Sequence, residues 1–440
     1  MAETQPVRGF RDLTAPESTR TAALEAAARE TLSLYGFSEI RLPTLELAEL
    51  FVKSTGETSD IVEKEMFRFE DQGGRALALR PEGTPGVVRA YLDKSLRQQG
   101  GPVKLYYVGS MFRAERPQKG RYREFEQIGV ETLGNPHPAA DVEAILALNA
   151  LFAALGLEGR VRLRVNNLGC DTEASCRPAF RDALRAYLHK HLDTLCDSCK
   201  RRVDRNPLRV LDCKGDGPRL SAEAPRFASC AACKAHVDQV SALLTDNGLT
   251  HAYPDPTLVR GLDYYTRTVF EFAGTGLGSQ DAVAGGGRYD GLVKLMGGPD
   301  TPAVGWALGV ERLLLAVEAS DPSFKKLEAH RGTGRDVFVA VQGTEAPTLA
   351  KATRLMETMR RFSIRAGGGL FASSLKAQMR EAGREEARWC VIIGDAEAAK
   401  LPPTCQLKDM TTGAQSEVLI DAVKDAIATS LSKKEPTHGL

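Results

Sequence analysis

The sequence predicts an α+β protein: a sheet-based domain interrupted by a mainly helical insertion and followed by a compact α/β domain. Three observations carry this. Gly109 to Glu131 reads as two strands joined by a basic turn. From Cys170 to about Leu249 the texture changes to helical, Arg- and Lys-rich segments with clustered cysteines. Beyond Arg335, strand and helix patterns alternate. At 440 residues the chain can bury a sizeable core and form two or three domains.

Element by element, Pro16 to Tyr35 reads as a helix, with Pro16 near its first turn, many alanines, and Gly36 just past its end. Ser38-Glu-Ile-Arg-Leu is a short strand closed by Pro43. Leu77 to Pro81 is a strand entering the Glu82-Gly-Thr84 turn, and a helix runs on from Val87 to Leu96. Asp141 to Leu155 is apolar at helical spacing and ends near Gly156. After the cysteine-rich stretch, strand-like sequence resumes over Leu258 to Phe272, followed by a glycine run (Gly285 to Gly291) and by Ala303 to Leu315. Ala319 to Arg335 is polar and punctuated by Gly and Pro, as linkers are. Val337 to Val341 and Trp389 to Ile393 are strands; Ala350 to Phe362 and Ser374 to Ala382 are helices. The boundaries expected are therefore 1–169 and 251–320 for the sheet domain, 170–250 for the insertion, 321–335 for a linker, 336–430 for the last domain and 431–440 for a tail. There is no internal repeat and no low-complexity tract.

Composition narrows the function classes. Charged residues are 26% and hydrophobic ones 42%, no apolar run approaches membrane-spanning length, and the first residues lack the apolar core of a signal peptide. A cytoplasmic protein with reduced cysteines and no membrane partner is expected. A net charge of +1 excludes a chain that is basic all over, so any nucleic-acid contact must be local. Arg113, Arg116, Lys119, Arg121 and Arg123 offer such a patch, although a charge run is also what a solvated surface looks like.

The second strand of the pair is unusual in parity. Arg123, Phe125, Gln127, Gly129 and Glu131 share one face, because strand side chains alternate. That face offers cation, aromatic platform, amide, bare backbone and carboxylate, which is the chemistry of a ligand surface. No Gly-x-x-x-x-Gly-Lys-Ser/Thr loop is present, so the phosphate-binding candidates are Arg113, Arg121, Arg260 and Arg312. Each alone reads equally as a surface ion-pair partner; Arg260, in apolar and aromatic company, would be costly unpaired. Gly285-Gly-Gly287, Gly305 and Gly309 mark either close approach of a ligand or tight turns. Glu82, Thr84, Gln127, Glu131, Tyr264 and Tyr265 form a polar set with acceptors for an amino group and an N–H-bearing ring, though the tyrosines also suit half-buried core.

These segments carry a resemblance that covers nearly the whole chain. Phe112-Arg-Ala-Glu-Arg-Pro-Gln-Lys-Gly-Arg-Tyr-Arg-Glu-Phe125 resembles the second motif of class II aminoacyl-tRNA synthetases, and Gly305-Trp-Ala-Leu-Gly-Val-Glu-Arg312 resembles the third. The helix ending at Gly36 and the strand to Pro43 resemble the first, which forms a dimer interface. Two narrower peptides, Leu258-Val-Arg-Gly-Leu-Asp-Tyr-Tyr265 and Ala284-Gly-Gly-Gly-Arg-Tyr-Asp-Gly291, are similar to ones characteristic of bacterial histidyl-tRNA synthetases. Ser374-Leu-Lys-Ala-Gln-Met379 and its surroundings resemble that family's anticodon-binding domain.

The resemblance implies an antiparallel class II sheet flanked by helices, a cytoplasmic homodimer, and ATP-dependent attachment of L-histidine to histidine tRNA through histidyl-adenylate, with Mg2+. It implies that Arg113 contacts the α-phosphate of ATP and the histidine carboxylate. Phe125 stacks on adenine, and Arg121 and Arg312 hold the outer phosphates or the adenine face. Arg260 takes the place of a second magnesium found in many relatives. Glu82, Thr84 and Gln127 bind the histidine amino group, Gly83 belongs to the same histidine site, Glu131 and Tyr264 read the imidazole, and Tyr265 and Tyr289 complete the wall. Gln127 and Glu82 are the nearest assistants for the transfer to tRNA. The same resemblance suggests that the extra 5′ guanosine of histidine tRNA is read by the Arg116 to Arg123 turn. The chain departs from common family patterns at Ala114 and Glu126, both of opposite parity to Arg113 and Gln127, so altered packing or tRNA contact is expected there.

Seven of nine cysteines lie between Cys170 and Cys233. Cys196-x-x-Cys199 and Cys230-x-x-Cys233 are spaced as the halves of a four-thiolate zinc knuckle, with Cys213 nearby; the alternative is a group of buried or loose thiols. Two other readings compete for the whole chain. A non-catalytic regulatory paralogue would typically lack the C-terminal domain and the catalytic arginines, and another class II synthetase would lack the Arg260 to Tyr265 peptide.

Overall fold

The computed structural model describes residues 5–432 apart from 57–58, 60, 212, 214, 221, 251, 261, 275–280, 322–323, 325–326, 328–335, 344 and 370–373. Most of the expected linker, the expected tail from 433 onward, and Gly261 lie outside the described residues. The chain divides into two compact units, 1–330 and 331–440.

In the first unit the strands are β1 Ser38–Glu39, β2 Leu45–Leu47, β3 Arg68–Glu70, β4 Ala76–Leu79, β5 Val103–Phe112 and β6 Glu124–Leu133. They continue with β7 Val161–Asn167, β8 Tyr253–Pro254, β9 Thr266–Gly274, β10 Ala282–Arg288 and β11 Ala303–Gly309. Eight of these form one sheet in the order β1-β5-β6-β11-β10-β9-β7-β8. Its six central strands are antiparallel to their neighbours, and only the short edge strands β1 and β8 pair in parallel. Strands from either side of the cysteine-rich region thus share one sheet. The strands β2, β4 and β3 make a small separate sheet.

Side-chain parity gives the large sheet two different faces. Tyr106, Ile128, Val130, Phe270, Phe272, Trp306 and Leu308 point to one side, where helices Glu17–Leu34, Pro138–Ala154 and Val310–Ser320 cover them in the largest core. Within it Phe152 and Phe272, both fully buried, meet edge to face with ring centres 5.0 Å apart. The odd-numbered residues of β5, β6, β9 and β11 face the other way, toward helix Thr84–Asp93 and the loop after β8. That helix starts at Thr84, three residues earlier than the sequence suggests, with Pro85 in its first turn.

The expectation of a strand over Leu258 to Phe272 is half wrong. The strand begins at Thr266, and the described residues from Leu258 to Tyr265 form a loop. Tyr264 and Tyr265 are consecutive and both are buried in the same cluster, with their rings 4.9 Å apart. A strand would send them to opposite faces.

Between β7 and β8 the chain forms helices Arg177–His189, Asp197–Arg202, Leu208–Leu211, Gly217–Leu220 and Ala231–Asp246. The middle of this segment has its own apolar cluster, including Leu184, Leu188, Val203 and Leu220. The last helix instead lends Val240 and Leu244 to the core of the sheet.

The second unit is a five-stranded mixed sheet in the order β13-β12-β14-β15-β16, with β12 Val337–Gln342, β13 Ala366–Gly369, β14 Trp389–Gly394, β15 Thr404–Asp409 and β16 Gln415–Leu419. Helices Ala346–Arg361 and Val423–Ser432 pack on one side of it and Leu375–Arg384 on the other. Among the described residues no helix is long and apolar enough to cross a membrane.

Candidate functional site

The second face of the large sheet, helix Thr84–Asp93 and the loop Leu258–Tyr265 enclose a cavity of about 420 Å³. Its floor is nearly bare backbone. In register across the sheet lie Gly129 opposite Ala307, Gly305 opposite Glu131 and Gly285 opposite Glu271, while Gln127 faces Gly309. Gly285 to Gly287 are therefore strand, while Gly291 lies in the turn that follows, and the lack of side chains in the strand makes room for specific groups. A Cβ on Gly305 would lie 1.9 Å from the Glu131 carboxylate, and one on Gly285 would lie 2.5 Å from the Arg260 guanidinium.

One end of the cavity is acidic and phenolic. Glu131 is 1% exposed, accepts a hydrogen bond from Thr84 Oγ1 at 2.6 Å, and accepts a second from the Tyr289 hydroxyl. Burial pushes its pKa up to about 8, against the pull of those two hydrogen bonds and with a further push from Glu82. Glu82 accepts from the Tyr264 hydroxyl at 3.0 Å. Burial pushes Glu82 up to about 7, against the opposing effects of Arg113 and Tyr264. Its second oxygen, Oε1, is buried with no hydrogen-bond partner among the described residues. An acceptor left this way costs free energy unless something outside the chain donates to it. Gln127 Oε1 accepts from the Tyr107 hydroxyl at 3.2 Å. Burial holds the phenols of Tyr107, Tyr264, Tyr265 and Tyr289 above their ordinary range, so they act as donors.

The other end is cationic. Arg113 Nε donates to the Pro81 carbonyl at 2.9 Å, and its guanidinium lies 5.3 Å from the centre of the Phe125 ring. Arg260 ion-pairs with Glu271 through one terminal nitrogen, and its buried Nε has no partner among the described residues. Arg121 and Arg312 line the same end. Arg121 pairs with Glu115 at 3.4 Å, and burial together with Arg121 pulls the Arg312 guanidinium below its ordinary value.

The cavity thus brings together Glu82, Thr84, Arg113, Arg121, Phe125, Gln127, Glu131, Arg260, Tyr264, Tyr265, Tyr289 and Arg312. Gly83 stands behind the wall, where a Cβ would meet the Tyr107 ring at 2.2 Å. Tyr107 and Glu271 were missed, though both leave a trace in the sequence. Gly83 and Gly129 both make way for the Tyr107 ring, and Glu271 is the lone acid between Phe270 and Phe272, on the opposite face to both. Arg288, in the Gly-Gly-Gly-Arg-Tyr-Asp-Gly peptide, lines no part of the cavity. It is fully buried and paired with Asp141, Asp290 and the carbonyls of Asn135 and His137.

Two departures from the common pattern fall outside the cavity. Glu126 accepts from Ser110 Oγ at 2.6 Å, and its N–H donates to Glu311 Oε1 at 3.0 Å. The Ala114 N–H donates to the Glu65 carbonyl at 2.6 Å. The candidate zinc set Cys196, Cys199, Cys230 and Cys233 is not assembled. The structure gathers Cys230 and Cys233 with Cys170 and Cys176, and Cys196 and Cys199 with Cys213 and Asp216. The reason is that the two Cys-x-x-Cys pairs open different helices, Asp197–Arg202 and Ala231–Asp246, which pack in different clusters.

Comparison with known proteins agrees with this geometry. A family model described as Histidyl-tRNA synthetase matches residues 9–313, and one described as Anticodon binding domain matches residues 336–430. The histidine–tRNA ligase of Elusimicrobium minutum is 49% identical over 424 residues, covering 96% of this chain and 98% of that protein. The histidine–tRNA ligase of Desulfosudis oleivorans is 45% identical over 436 residues, covering 98% and 99%. The apo histidyl-tRNA synthetase of S. aureus superposes with a TM-score of 0.78 at 32% identity, covering 96% of this chain and 99% of that one. The chain belongs to the histidyl-tRNA synthetase family, class II aminoacyl-tRNA synthetases built on an antiparallel sheet.

Proposed function

We propose that this protein attaches L-histidine to histidine tRNA at the expense of ATP, through histidyl-adenylate, and that the cavity above the glycine floor performs both steps. The observation that carries the reading is the polarity of the cavity. Two buried carboxylates stand at one end, Glu82 within the influence of Arg113 and Glu131 held by hydroxyl groups, and four arginines stand at the other.

In this reading the histidine ammonium donates to Glu82 Oε1 and to Thr84 and Gln127. The imidazole N–H donates to Glu131, with the Tyr264 and Tyr289 hydroxyls as further partners and Tyr265 and Gly83 backing the wall. Arg113 and Arg260 flank the α-phosphate. There the histidine carboxylate oxygen forms a bond to phosphorus as the bond to the bridging oxygen of pyrophosphate breaks. Positioning and charge stabilisation supply most of the rate, because phosphoryl transfer asks little covalent help of a protein. Phe125 stacks on adenine beside Arg113, and Arg121 and Arg312 hold the outer phosphates or the adenine face. Glu115 and Glu271 give this end the hard oxygen ligands that Mg2+ takes, and the ion when bound would neutralise the departing pyrophosphate. In the second step the terminal ribose hydroxyl of the tRNA attacks the adenylate carbonyl and AMP leaves, with Gln127 and Glu82 nearest to assist.

Specificity follows from desolvation. A side chain without two ring nitrogens would exclude water from beside Glu131 and the Tyr264 hydroxyl without offering them a hydrogen bond in return, so no separate editing site is needed. Residues 170–250 are assigned to the insertion, and 336–430 to reading the anticodon. The enzyme is assigned to a cytoplasmic homodimer. Leu34 remains exposed in the first motif, Leu45 and Leu47 just after it and Phe69 two strands away in the small sheet, as a covered interface would leave them in one chain, and none of the nine cysteines is in a disulfide.

Pyrophosphate exchange scanned over twenty amino acids tests the assignment. Histidine alone should support exchange; exchange with a different amino acid, or with none, would refute it.

A further inference from the structure

Each of the two cysteine groups places four ligand atoms within 4.8 Å of one another. Cys170 Sγ lies 3.9 Å from Cys230 Sγ, and Cys196 Sγ lies 4.0 Å from Cys213 Sγ. A tetrahedral zinc with Zn–S bonds of about 2.3 Å has sulfurs about 3.8 Å apart, whereas a disulfide has them about 2.0 Å apart. The spacing is that of metal ligands.

The two groups are also built alike. Cys196 and Cys230 each precede a helix in nearly the same backbone conformation, with φ −65°, ψ 158° and φ −64°, ψ 163°. In each pair the second cysteine, Cys199 or Cys233, is 0% exposed in the first turn. The Cys170 and Cys230 amides both donate to Cys176 Sγ at 3.4 Å, and the Asp216 amide donates to Cys213 Sγ at 3.5 Å. A neutral thiol accepts weakly, so two amides converging on one sulfur suit a thiolate. Asp216 argues further against a merely apolar thiol cluster. It is 6% exposed, its Oδ2 accepts from the Cys196 N–H at 2.9 Å and lies 4.0 Å from Cys213 Sγ, and its Oδ1 is held by Arg219 at 3.3 Å. One carboxylate oxygen toward the ligand group and the other on a second residue is how metal-binding carboxylates are oriented.

We propose that the segment between β7 and β8 binds two zinc ions, one on Cys170, Cys176, Cys230 and Cys233 and one on Cys196, Cys199, Cys213 and Asp216. Binding releases the thiol protons to solvent and leaves each site formally dianionic. The sites stand whatever the reaction of the cavity is. Their placement gives them a second effect, which does rest on the proposed function. Arg177, next to Cys176, pairs with Asp171, next to Cys170, and donates to the Tyr265 carbonyl. Asn206, between Cys199 and Cys213, donates to the Asp263 carboxylate. The two sites therefore brace, from two points, the loop that carries Arg260 and Tyr264.

The test is elemental analysis of tag-free full-length protein. Two zinc per chain are expected, with Cys230→Ser/Cys233→Ser and Cys196→Ser/Cys199→Ser each losing one. Should those variants fail to fold, cobalt titration of chelator-treated wild-type protein replaces them. It should show two equivalents with sulfur-to-metal charge-transfer absorption, and Asp216→Asn should change the band of one site only. Zinc well below one per chain together with no cobalt–thiolate absorption would overturn the proposal, and a single equivalent insensitive to Asp216→Asn would overturn the mixed site. Chelation should also raise the KM for histidine; an unchanged KM with both metals removed would overturn the bracing effect alone.

Discussion

Asp141 and the pair Glu82 and Glu131 are carboxylates buried in the same unit to nearly the same degree, 0% against 5% and 1% exposed, yet they are held in opposite states. Burial would push Asp141 up, but the His236 ring, 3.4 Å from its Oδ2, and the hydrogen bonds and charge of Arg288 hold it below the ordinary carboxylate range. Glu82 and Glu131 have phenol and hydroxyl partners, with Arg113 the one cation acting on Glu82, and they rise to about 7 and about 8. The difference separates two uses of buried charge. Around Asp141 every oxygen is matched inside the chain, tying helix Pro138–Ala154, strand β10 and helix Ala231–Asp246 together. In the cavity the matching is incomplete, and a ligand has to complete it.

If that division is right, substitutions on the two sides should separate activity from stability. The largest effect belongs to Arg260→Ala: histidine-dependent pyrophosphate exchange should fall by at least ~10²–10³-fold while the thermal midpoint stays near wild type. Near-normal exchange would remove Arg260 from the mechanism. Arg288→Ala should do the reverse, costing about 3–5 kcal/mol in denaturant unfolding by stranding Asp141, with little change in the KM for histidine of the folded fraction. A stable Arg288→Ala protein with weakened histidine binding would erase the contrast. Glu131→Gln should raise the KM for histidine roughly 10–100-fold and leave that for ATP within about two-fold, because an amide cannot ionise to become the acceptor that the ring N–H needs. Equal losses for both substrates would move Glu131 out of the amino-acid pocket.

The smallest effect is a pH slope. Glu82 and Glu131 are protonated more readily in the folded chain than in the unfolded one, where carboxyls titrate near 4.5. Between about pH 4.5 and about pH 8 the native state therefore binds more protons, and the contribution of these groups to stability falls as pH rises through that window. The thermal midpoint should decline from about pH 5.5 to about pH 8.5, and Glu131→Gln should flatten the decline. A slope unchanged by that substitution would assign it to other groups.

Much of this was legible before any coordinates. Strand alternation alone put Phe125, Gln127 and Glu131 on one face, and all three line the cavity. The glycines of Gly285 to Gly287 left two readings open, and only the folded sheet showed them to be strand, with Gly285 under the Arg260 guanidinium and Gly286 against the backbone of the next strand. The loop Leu258–Tyr265 was misread because its apolar and aromatic residues match a strand in composition. What decided it was that Tyr264 and Tyr265 are both needed in one cluster.

The order of strands and helices, the parity of the second strand and the identity of the charged groups follow from the chain itself, because they depend on local sterics and on spacings of two to four residues. Which cysteine meets which was beyond that reach. The pairing of Cys230 with Cys170, and of Cys196 with Cys213, spans 60 and 17 residues and depends on where whole helices dock. The protonation of Glu82 and Glu131 is likewise a property of the folded cavity, since burial is what raises both groups and no neighbour in the sequence supplies it.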